Sequence, residues 1–262
     1  MTQITQIKIR KMSFNGKTAI VTGASSGIGR AAALAFANAG ARVALVARDA
    51  AKLHEVASQA ANAFAIPADI TADDSPDRIV NEVIAKAGGI DVLVNAAGVI
   101  ATAPTDQTTD ETWDRMMNIN VRAPFRLMRA AFPHLRARRG AVVNVSSVNG
   151  LRAFAGVSVY CASKAALDHL SRCAAIDWAP EGVRVNAVNP GVTVTNLHRR
   201  GGIDEEKYAS FLERAKTTHP LGRPGNAEEI ASLILYLASY QAAWMTGETI
   251  PIDGGRHLTC FR

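Results

Sequence analysis

The chain has 262 residues, of which 48% are hydrophobic, 20% are charged and 6% are aromatic, and its formal net charge is +6. This composition excludes an intrinsically disordered chain, and the absence of any run of about 18 uncharged apolar residues predicts no membrane span. Three cysteines without a CxxC spacing argue against a disulfide framework and a zinc site, and they indicate a reducing compartment.

The start of the chain is basic. Residues 1–17 contain four Lys or Arg residues and no acid, whereas the rest of the chain is nearly neutral, and its basic clusters lack interleaved aromatic residues, which argues against nucleic-acid binding. No apolar stretch of secretory-signal length precedes the domain. We therefore predict a flexible basic leader over residues 1–13, a single domain over 14–262 and a cytoplasmic protein; an organellar transit role for the leader is the alternative.

Short apolar runs alternate with helix-forming segments along the domain. The predicted strands are Thr18–Val21, Arg42–Ala47, Asn62–Ala68, Ile90–Val94, Ala141–Val145, Val183–Val188 and Glu248–Ile252. The predicted helices are Arg30–Ala39, Asp49–Ala61, Asp77–Ala87, Thr109–Leu135, Val157–Ala179 and Ala227–Ala238. Nearly continuous apolar strands separated by helices are typical of a parallel sheet covered on both faces, so we predict an α/β, doubly wound sheet. The irregular segment Gly191–Pro220 follows a strand end and predicts a substrate lid at about residues 192–215.

A glycine-rich turn, Thr22-Gly23-Ala24-Ser25-Ser26-Gly27-Ile28-Gly29, follows the first predicted strand and opens a helix. Glycines let the chain turn tightly and let a pyrophosphate approach the N–H groups of the helix N-terminus. The turn therefore predicts a dinucleotide site, although its spacing is GxxxGxG rather than the general GxGxxG.

The end of the second predicted strand indicates which dinucleotide binds. An acid at this position binds the ribose 2′-hydroxyl of NAD, whereas an Arg accommodates the 2′-phosphate of NADP. Here Ala47 stands at the position of the acid and Arg48 follows it, which favours NADP(H) over NAD(H). Asp49 lies one residue further on and is also an acid, so NAD(H) remains the alternative cofactor.

Tyr160 and Lys164 lie four residues apart on a predicted helix and therefore share one face. A nearby ammonium favours the phenolate, so we expect Lys164 to lower the pKa of Tyr160 and to fit that tyrosine for acid–base work. Ser147 lies at the end of the preceding strand region, where active sites form in such sheets. Ser146 competes for the same role.

These motifs occur in an order typical of one family: TGASSGIG, Asn95-Ala96-Ala97-Gly98, Ser147, Tyr160-x-x-x-Lys164 and Asn189-Pro190-Gly191. Over about residues 14–257 the chain resembles the short-chain dehydrogenase/reductases. The resemblance implies a Rossmann-like fold, a nicotinamide cofactor, a homotetramer and an Asn–Ser–Tyr–Lys tetrad, here Asn120, Ser147, Tyr160 and Lys164, in which the Asn120 backbone carbonyl would hold a proton-relay water.

The resemblance also implies a set of cofactor-binding residues. They are Gly23, Ser25, Ser26, Gly27, Ile28, Gly29, Arg48, Asp69, Ile70, Asn95, Ala96, Gly98, Tyr160, Lys164, Pro190, Gly191, Thr193 and Thr195. Two of these depart from the usual pattern: Ala96 replaces the second Asn of NNAG, and Thr193 replaces a Val or Ile. The scattered histidines predict no metal site.

The expected reaction is hydride transfer between NADP(H) and the carbonyl or secondary alcohol of a mostly apolar small molecule, with a 3-oxoacyl substrate favoured. We expect an anionic end on that substrate from His198, Arg199 and Arg200 in the lid. The alternative is a cofactor-binding regulator or scaffold without turnover, and the intact tetrad argues against it.

Overall fold

The structure, a computed structural model, describes residues 12–202 and 204–259. Within these residues a seven-stranded parallel sheet has the order β3-β2-β1-β4-β5-β6-β7. The strands are β1 (Thr18–Thr22), β2 (Arg42–Ala47), β3 (Ala63–Pro67), β4 (Val92–Asn95), β5 (Ala141–Val145), β6 (Arg184–Pro190) and β7 (Thr249–Ile252). The chain order reverses between β1 and β4, and doubly wound sheets bind ligands at this point, beyond the carboxyl ends of the strands.

Helices cover both faces of this sheet. They are α1 (Gly27–Asn38), α2 (Ala50–Ser58), α3 (Ser75–Ala87), α4 (Asp110–Met117), α5 (Ala123–Arg138), α6 (Val148–Leu151), α7 (Ser158–Trp178), α8 (Leu197–Arg200), α9 (Glu205–Thr218) and α10 (Ala227–Ala238). The predicted α/β doubly wound architecture is confirmed.

Two apolar cores lie on the two faces of the sheet. One core packs α1 and α10 against the strands, and Phe14 meets Phe36 edge-on there with ring centres 4.8 Å apart. The other packs α3, α5 and α7, and Phe132 stacks on Trp178 at 4.5 Å. Complete burial of a side chain such as Phe36 contributes roughly 1.5–3 kcal/mol. Met12, which we assigned to the leader, also packs on the first core, whereas residues 1–11 lie outside the described residues.

The predicted long helix over 109–135 is divided in the structure. Between α4 and α5, Asn118–Arg122 form a π-helical turn in which the N–H of Ala123 donates to the carbonyl of Asn118. Pro124 lacks an N–H, so it cannot make the α-helical bond to the carbonyl of Asn120. The π-helical turn accommodates the missing hydrogen bond, and α5 then continues to Arg138.

The predicted irregular lid contains helices. Asp204 caps α9 by accepting the N–H of Lys207 at 2.8 Å, and acids in the first turn favour the helix dipole. Buried His219 then holds the base of this segment: its Nδ1 lies 2.8 Å from the carbonyl of Ala215, and its Nε2 accepts the N–H of Val192 at 3.2 Å. These bonds require a neutral ring, and burial lowers the pKa of His219 accordingly. The lid is therefore tied to the loop that follows β6.

No helix among the described residues is long and apolar enough to cross a bilayer.

Candidate active site

A cleft of about 1110 Å³ opens beyond the carboxyl ends of the central strands. Most of the residues assigned from the sequence line it: Gly23, Ser25, Ser26, Ile28, Gly29, Arg48, Asp69, Ile70, Ala96, Gly98, Ser147, Tyr160, Lys164, Pro190, Gly191, Thr193 and Thr195. Gly27, Asn95 and Asn120 do not line it. The described residues include no group of three or more His, Cys, Asp or Glu side chains placed to hold a metal ion.

The glycine turn forms one end of the cleft. Gly23 has φ +67°, and a Cβ added there would lie 2.9 Å from the N atom of Ala97. A Cβ added to Gly29 would lie 2.4 Å from the carbonyl oxygen of Gly23. Only glycine fits at these two positions of the turn, which leads directly into the N-terminus of α1. The arrangement fits the pyrophosphate of a dinucleotide, because free N–H groups and the helix dipole favour an anion there.

Asn95 acts inside the protein rather than at the cleft surface. Its Nδ2 donates to Oδ1 of Asn144 at 2.8 Å, and Nδ2 of Asn144 donates to the hydroxyl of Ser171 at 2.8 Å. These bonds join β4, β5 and α7 within the buried sheet. Asn95 therefore positions the segment that begins with Ala96, whose N–H donates to the Thr22 hydroxyl at 3.0 Å.

Asn120 is fully buried in the π-helical turn and holds the loop after β4. Its Oδ1 accepts the N–H of Val99 and its Nδ2 donates to the carbonyl of Val99, both at 2.9 Å. Nδ2 also lies 3.1 Å from the hydroxyl of Ser163 on α7. The side chain is thus a positioning group, and the π-turn with Pro124 leaves its backbone carbonyl without the usual α-helical donor.

Ser147, Tyr160 and Lys164 meet at the centre of the cleft. Ser147 caps α6, where its hydroxyl accepts the N–H of Asn149 at 3.1 Å, and it hydrogen-bonds the Tyr160 phenol. Nζ of Lys164 lies 5.7 Å from the centre of the Tyr160 ring and donates to the carbonyl of Val145 at 2.9 Å. One hydroxyl, one phenol and one ammonium therefore share a small volume.

Ser146 also lines the cleft, but its hydroxyl is engaged elsewhere. It donates to the backbone carbonyl of Lys164 at 3.1 Å. Ser147 is the serine that contacts the Tyr160 phenol, so the geometry favours Ser147 for the catalytic role.

Burial determines the protonation states of Tyr160 and Lys164. It raises the pKa of Tyr160 to about 12, although the hydrogen bond with Ser147 opposes the rise. It lowers the pKa of Lys164 to about 8, although the nearby carboxylate of Asp168 opposes the fall. We expected Lys164 to lower the pKa of Tyr160; instead, desolvation outweighs any such effect. At neutral pH Tyr160 is consequently a neutral phenol that can donate a proton.

Sequence reasoning missed Asp168, and it noted Asn189 only as part of the Asn189-Pro190-Gly191 motif, without a role in the site. Asn189 Nδ2 donates to Oδ2 of Asp168 at 2.8 Å and to the backbone carbonyl of Ser147 at 2.9 Å. Burial raises the pKa of Asp168, and the neighbouring Ser146 hydroxyl and the hydrogen bond from Asn189 oppose the rise. The spacing of Tyr160, Lys164 and Asp168 on one face of α7 is the signal that could have revealed this carboxylate.

The opposite end of the cleft lies beyond β2 and β3. Asp49 caps α2 by accepting the N–H of Lys52 at 3.1 Å, and it pairs with the Lys52 ammonium at 3.1 Å. Hydrogen bonds from Thr71, together with the charge of Arg48, keep the pKa of Asp69 below its ordinary value. The Asp49 carboxylate is thus engaged locally, while the exposed Arg48 side chain lines the cleft.

Comparison with known proteins agrees with this geometry. A family model described as enoyl-(acyl carrier protein) reductase matches residues 23–257. L-xylulose reductase of Mesocricetus auratus is 37% identical over 93% of this chain and 98% of its own length. A crystal structure of a short-chain dehydrogenase/reductase of unknown function from Caenorhabditis elegans, with cofactor, superposes with a TM-score of 0.88 at 35% identity, covering 94% of this chain and 97% of that one.

The chain belongs to the short-chain dehydrogenase/reductase family. Another relative in this family is the 3-oxoacyl-[acyl-carrier-protein] reductase FabG of Thermotoga maritima, 37% identical over 93% of this chain and 99% of its own length. Members of the short-chain dehydrogenase/reductase family are oxidoreductases that use nicotinamide cofactors. These comparisons confirm the family and the fold that the motifs predicted.

The lowered pKa of Lys164 predicts a change of stability with pH. Between pH 8 and 10.5 the folded protein has released the Lys164 proton while the unfolded chain still holds it, so the free energy of unfolding should rise with pH across this window. Lys164→Met should remove this contribution, which is on the order of 3 kcal/mol over the whole window and about 2 kcal/mol between pH 7.5 and 9.5. Urea unfolding at pH 7.5 and 9.5 measures it.

The surface variant Lys216→Met is the control, because Lys216 is exposed and pairs with Glu213 at 2.8 Å. It should keep the pH dependence of the original protein. Identical pH dependence in the Lys164→Met protein would contradict the assignment of a lowered pKa to Lys164.

Proposed function

We propose that the protein is an NADP(H)-dependent oxidoreductase that transfers a hydride between the nicotinamide and the carbonyl or secondary alcohol of a mostly apolar small molecule. The observation that carries this proposal is that Ser147, Tyr160 and Lys164 converge in the cleft that begins at the glycine turn. A 3-oxoacyl compound remains the favoured substrate type, in keeping with the name of one relative, a 3-oxoacyl-[acyl-carrier-protein] reductase.

The roles of the residues follow from their environments. When bound, the nicotinamide supplies or accepts the hydride. The neutral Tyr160 phenol donates its proton to the oxygen of the carbonyl that is reduced, and it takes the proton back in the reverse direction. Ser147 donates a hydrogen bond to the same oxygen and so stabilises the charge that develops there. Lys164, protonated at neutral pH, stabilises the phenolate that remains.

The substrate portion of the cleft supports an apolar molecule. Its lining is mainly aliphatic and aromatic: Val99, Ile100, Val148, Phe154, Val157, Val192, Leu197 and Phe211. The relatives act, by their names, on L-xylulose, meso-2,3-butanediol and 3-oxoacyl groups. Each is a carbonyl compound or an alcohol, which supports the reaction class, whereas the lining of this chain determines its own choice of substrate.

The charges beyond β2 support NADP(H) over NAD(H). Arg48 lines the cleft, and no acid stands at Ala47. The carboxylate of Asp49, which could have bound the ribose hydroxyls of NAD(H), is occupied by α2 and Lys52. An Arg beside the 2′-phosphate forms a charge-assisted contact that NAD(H) cannot offer.

We also propose a homotetramer. Large apolar side chains are exposed on α4, α5 and α7 and near the end of the described chain: Trp113, Phe125, Ile176 and Leu258. Ile176 and Leu258 are about three-quarters exposed (75% and 74%), which a second copy of the chain would cover.

Replacing the phenol tests the catalytic assignment. Tyr160→Phe keeps the ring but removes the transferable proton, so turnover of an accepted ketone should fall roughly 10²- to 10⁴-fold with nearly unchanged cofactor affinity. Ser147→Ala should behave alike, whereas Lys164→Met should weaken cofactor binding and turnover together. Stopped-flow or steady-state NADPH oxidation, with cofactor titration by fluorescence, separates the two effects.

Tyr240→Phe is the matched control, because Tyr240 is 91% exposed and outside the cleft. A folded Tyr160→Phe protein with normal turnover would refute the catalytic assignment. A protein that binds the cofactor but turns over no carbonyl compound or alcohol would instead be a regulator or scaffold.

Arg48→Asp tests the choice of cofactor. We expect the original protein to bind NADPH roughly 10-fold or more tightly than NADH, and the variant to reverse this order, because a carboxylate repels the 2′-phosphate. Calorimetric titration of both cofactors measures it. Arg42→Asp changes the same charge at the other end of β2 and should preserve the preference; equal affinities in the original protein would refute the proposal.

Light scattering tests the assembly. The mass in solution should be about four times the chain mass of 27.8 kDa, and Ile176→Lys should lower it by placing a charge in an apolar contact. A monomer at micromolar concentration would overturn the proposed tetramer.

A further inference from the structure

The loop that follows β6, residues 191–195, borders the cleft and is called the β6 loop below. Gly191, Thr193 and Thr195 of this loop all line the cleft. A Cβ added to Gly27 in the glycine turn would lie 3.2 Å from Cγ2 of Thr195. The β6 loop therefore reaches from the end of β6 to the glycine turn, and its shape bounds the space in which a dinucleotide would lie.

Hydrogen bonds hold the middle of the β6 loop. The N–H of Gly225 donates to the carbonyl of Val192 at 2.9 Å, and the N–H of Val194 donates to the carbonyl of Gly225 at 2.9 Å. A side chain supplies the next contact, because the N–H of Val192 donates to Nε2 of His219 at 3.2 Å. The ring of His219 thus completes a set of bonds that the backbone alone does not complete.

His219 can accept this hydrogen bond in one protonation state only. Its Nδ1 lies 2.8 Å from the carbonyl of Ala215, and a carbonyl can only accept, so Nδ1 carries the hydrogen. Nε2 then keeps its lone pair for the N–H of Val192. A second proton would bind at Nε2 and point one N–H at another. Because His219 is only 3% exposed, water cannot readily replace the lost partner.

The ring has little room to turn away from the β6 loop. The N–H of His219 donates to the carbonyl of Ala215 at 3.1 Å, and the carbonyl of His219 accepts the N–H of Gly222 at 2.8 Å. On the other side, a Cβ added to Gly254 would lie 3.6 Å from Cδ2 of the ring. When Nε2 gains a proton, we therefore expect the β6 loop, rather than the ring, to move.

The surroundings of the ring favour its neutral form. Burial lowers the pKa of His219, and the charge of Arg256 lowers it further, whereas the hydrogen bond to Ala215 and the charge of Asp253 act in the opposite direction. His257 is the other titratable group of the loop after β7, and its Nδ1 lies 2.9 Å from Oδ2 of Asp253. On the flanking segments Arg223 pairs with Glu229, Lys216 pairs with Glu213, and Arg214 lines the cleft.

We propose that His219 is a positioning residue for the cofactor: its neutral ring holds the β6 loop in the shape that binds the nicotinamide half of NADP(H), and protonation of Nε2 releases that loop. This inference rests on the proposed oxidoreductase function and adds to it a residue that does not itself line the cleft. The proton and the cofactor then favour different shapes of the loop, so each weakens the binding of the other. Cofactor affinity should consequently fall as the pH drops below about 6.5, the ordinary pKa of histidine.

His219→Gln separates the hydrogen bond from the titration, because a glutamine amide offers an acceptor oxygen but cannot gain a proton in this range. Calorimetric titration with NADP⁺ at pH 7.5 and 5.0 measures the affinity of both proteins. The ratio of Kd at pH 5.0 to Kd at pH 7.5 should be roughly 3- to 10-fold larger in the original protein than in the variant. Phosphate monoesters such as the 2′-phosphate also titrate near pH 6, so the comparison between the two proteins carries the test.

His219→Leu removes the acceptor at every pH. It should raise the KM for the cofactor roughly 10-fold at pH 7.5 and leave kcat at saturating cofactor nearly unchanged, because Ser147 and Tyr160 stay in place. His219→Gln should restore most of this loss. His54→Gln is the matched control, because His54 is exposed on α2 and does not line the cleft, and it should keep the pH dependence of the original protein. Circular dichroism at both pH values shows that each variant is folded.

Nitrogen NMR of the histidine rings tests the proposal in the original protein, even where a variant does not fold. At pH 7.5 the ring of His219 should carry its hydrogen on Nδ1, and a hydrogen on Nε2 would overturn the inference. Equal acid dependence of NADP⁺ binding in the original protein and in His219→Gln would overturn this inference alone. The expected acid dependence without reduction of any carbonyl compound would overturn the proposed function alone, and a protein that binds no nicotinamide cofactor would overturn both.

Discussion

The active site depends on one buried charge. Lys164 is only 4% exposed, and an ammonium withdrawn from water is stable only where oxygen atoms replace its hydration. The carbonyl of Val145 accepts one of its hydrogen bonds, and the carboxylate of Asp168 lies nearby on the same helix. Since Val145 ends β5, this contact fixes α7 against the edge of the sheet at which Ser147 follows.

The charge of Lys164 is also connected, through Asp168, to the neighbouring strand β6. Asp168, which balances Lys164, accepts from Asn189 near the end of β6, and Asn189 in turn donates to the backbone of Ser147. The ends of β5 and β6 and the middle of α7 are therefore held by one continuous set of polar contacts. Tyr160 lies one helical turn before Lys164 on α7, so these contacts also fix the position of its phenol.

The strands and most cleft residues could be predicted from the sequence, because burial on both faces leaves a strong apolar pattern in strands such as β1 and β5. Helix α9 was missed because few of its residues are buried, chiefly Tyr208 and Ala215, so its periodicity is weak, although Asp204 offers a cap. The protonation of Tyr160 depends on packing in three dimensions. Spacing places an ammonium beside a phenol but does not reveal the cost of desolvating both.

The π-helical turn at Asn118–Arg122 has a further consequence for this chain. A π-turn is equivalent to one extra residue within an α-helix, and each residue turns a helix by about 100°. If one residue of this segment were deleted, the chain could form a regular α-helix, but α4 would rotate about its axis relative to α5. Asn120 would then leave the loop after β4. The number of residues in this segment is therefore constrained as strictly as the identity of any residue in the cleft.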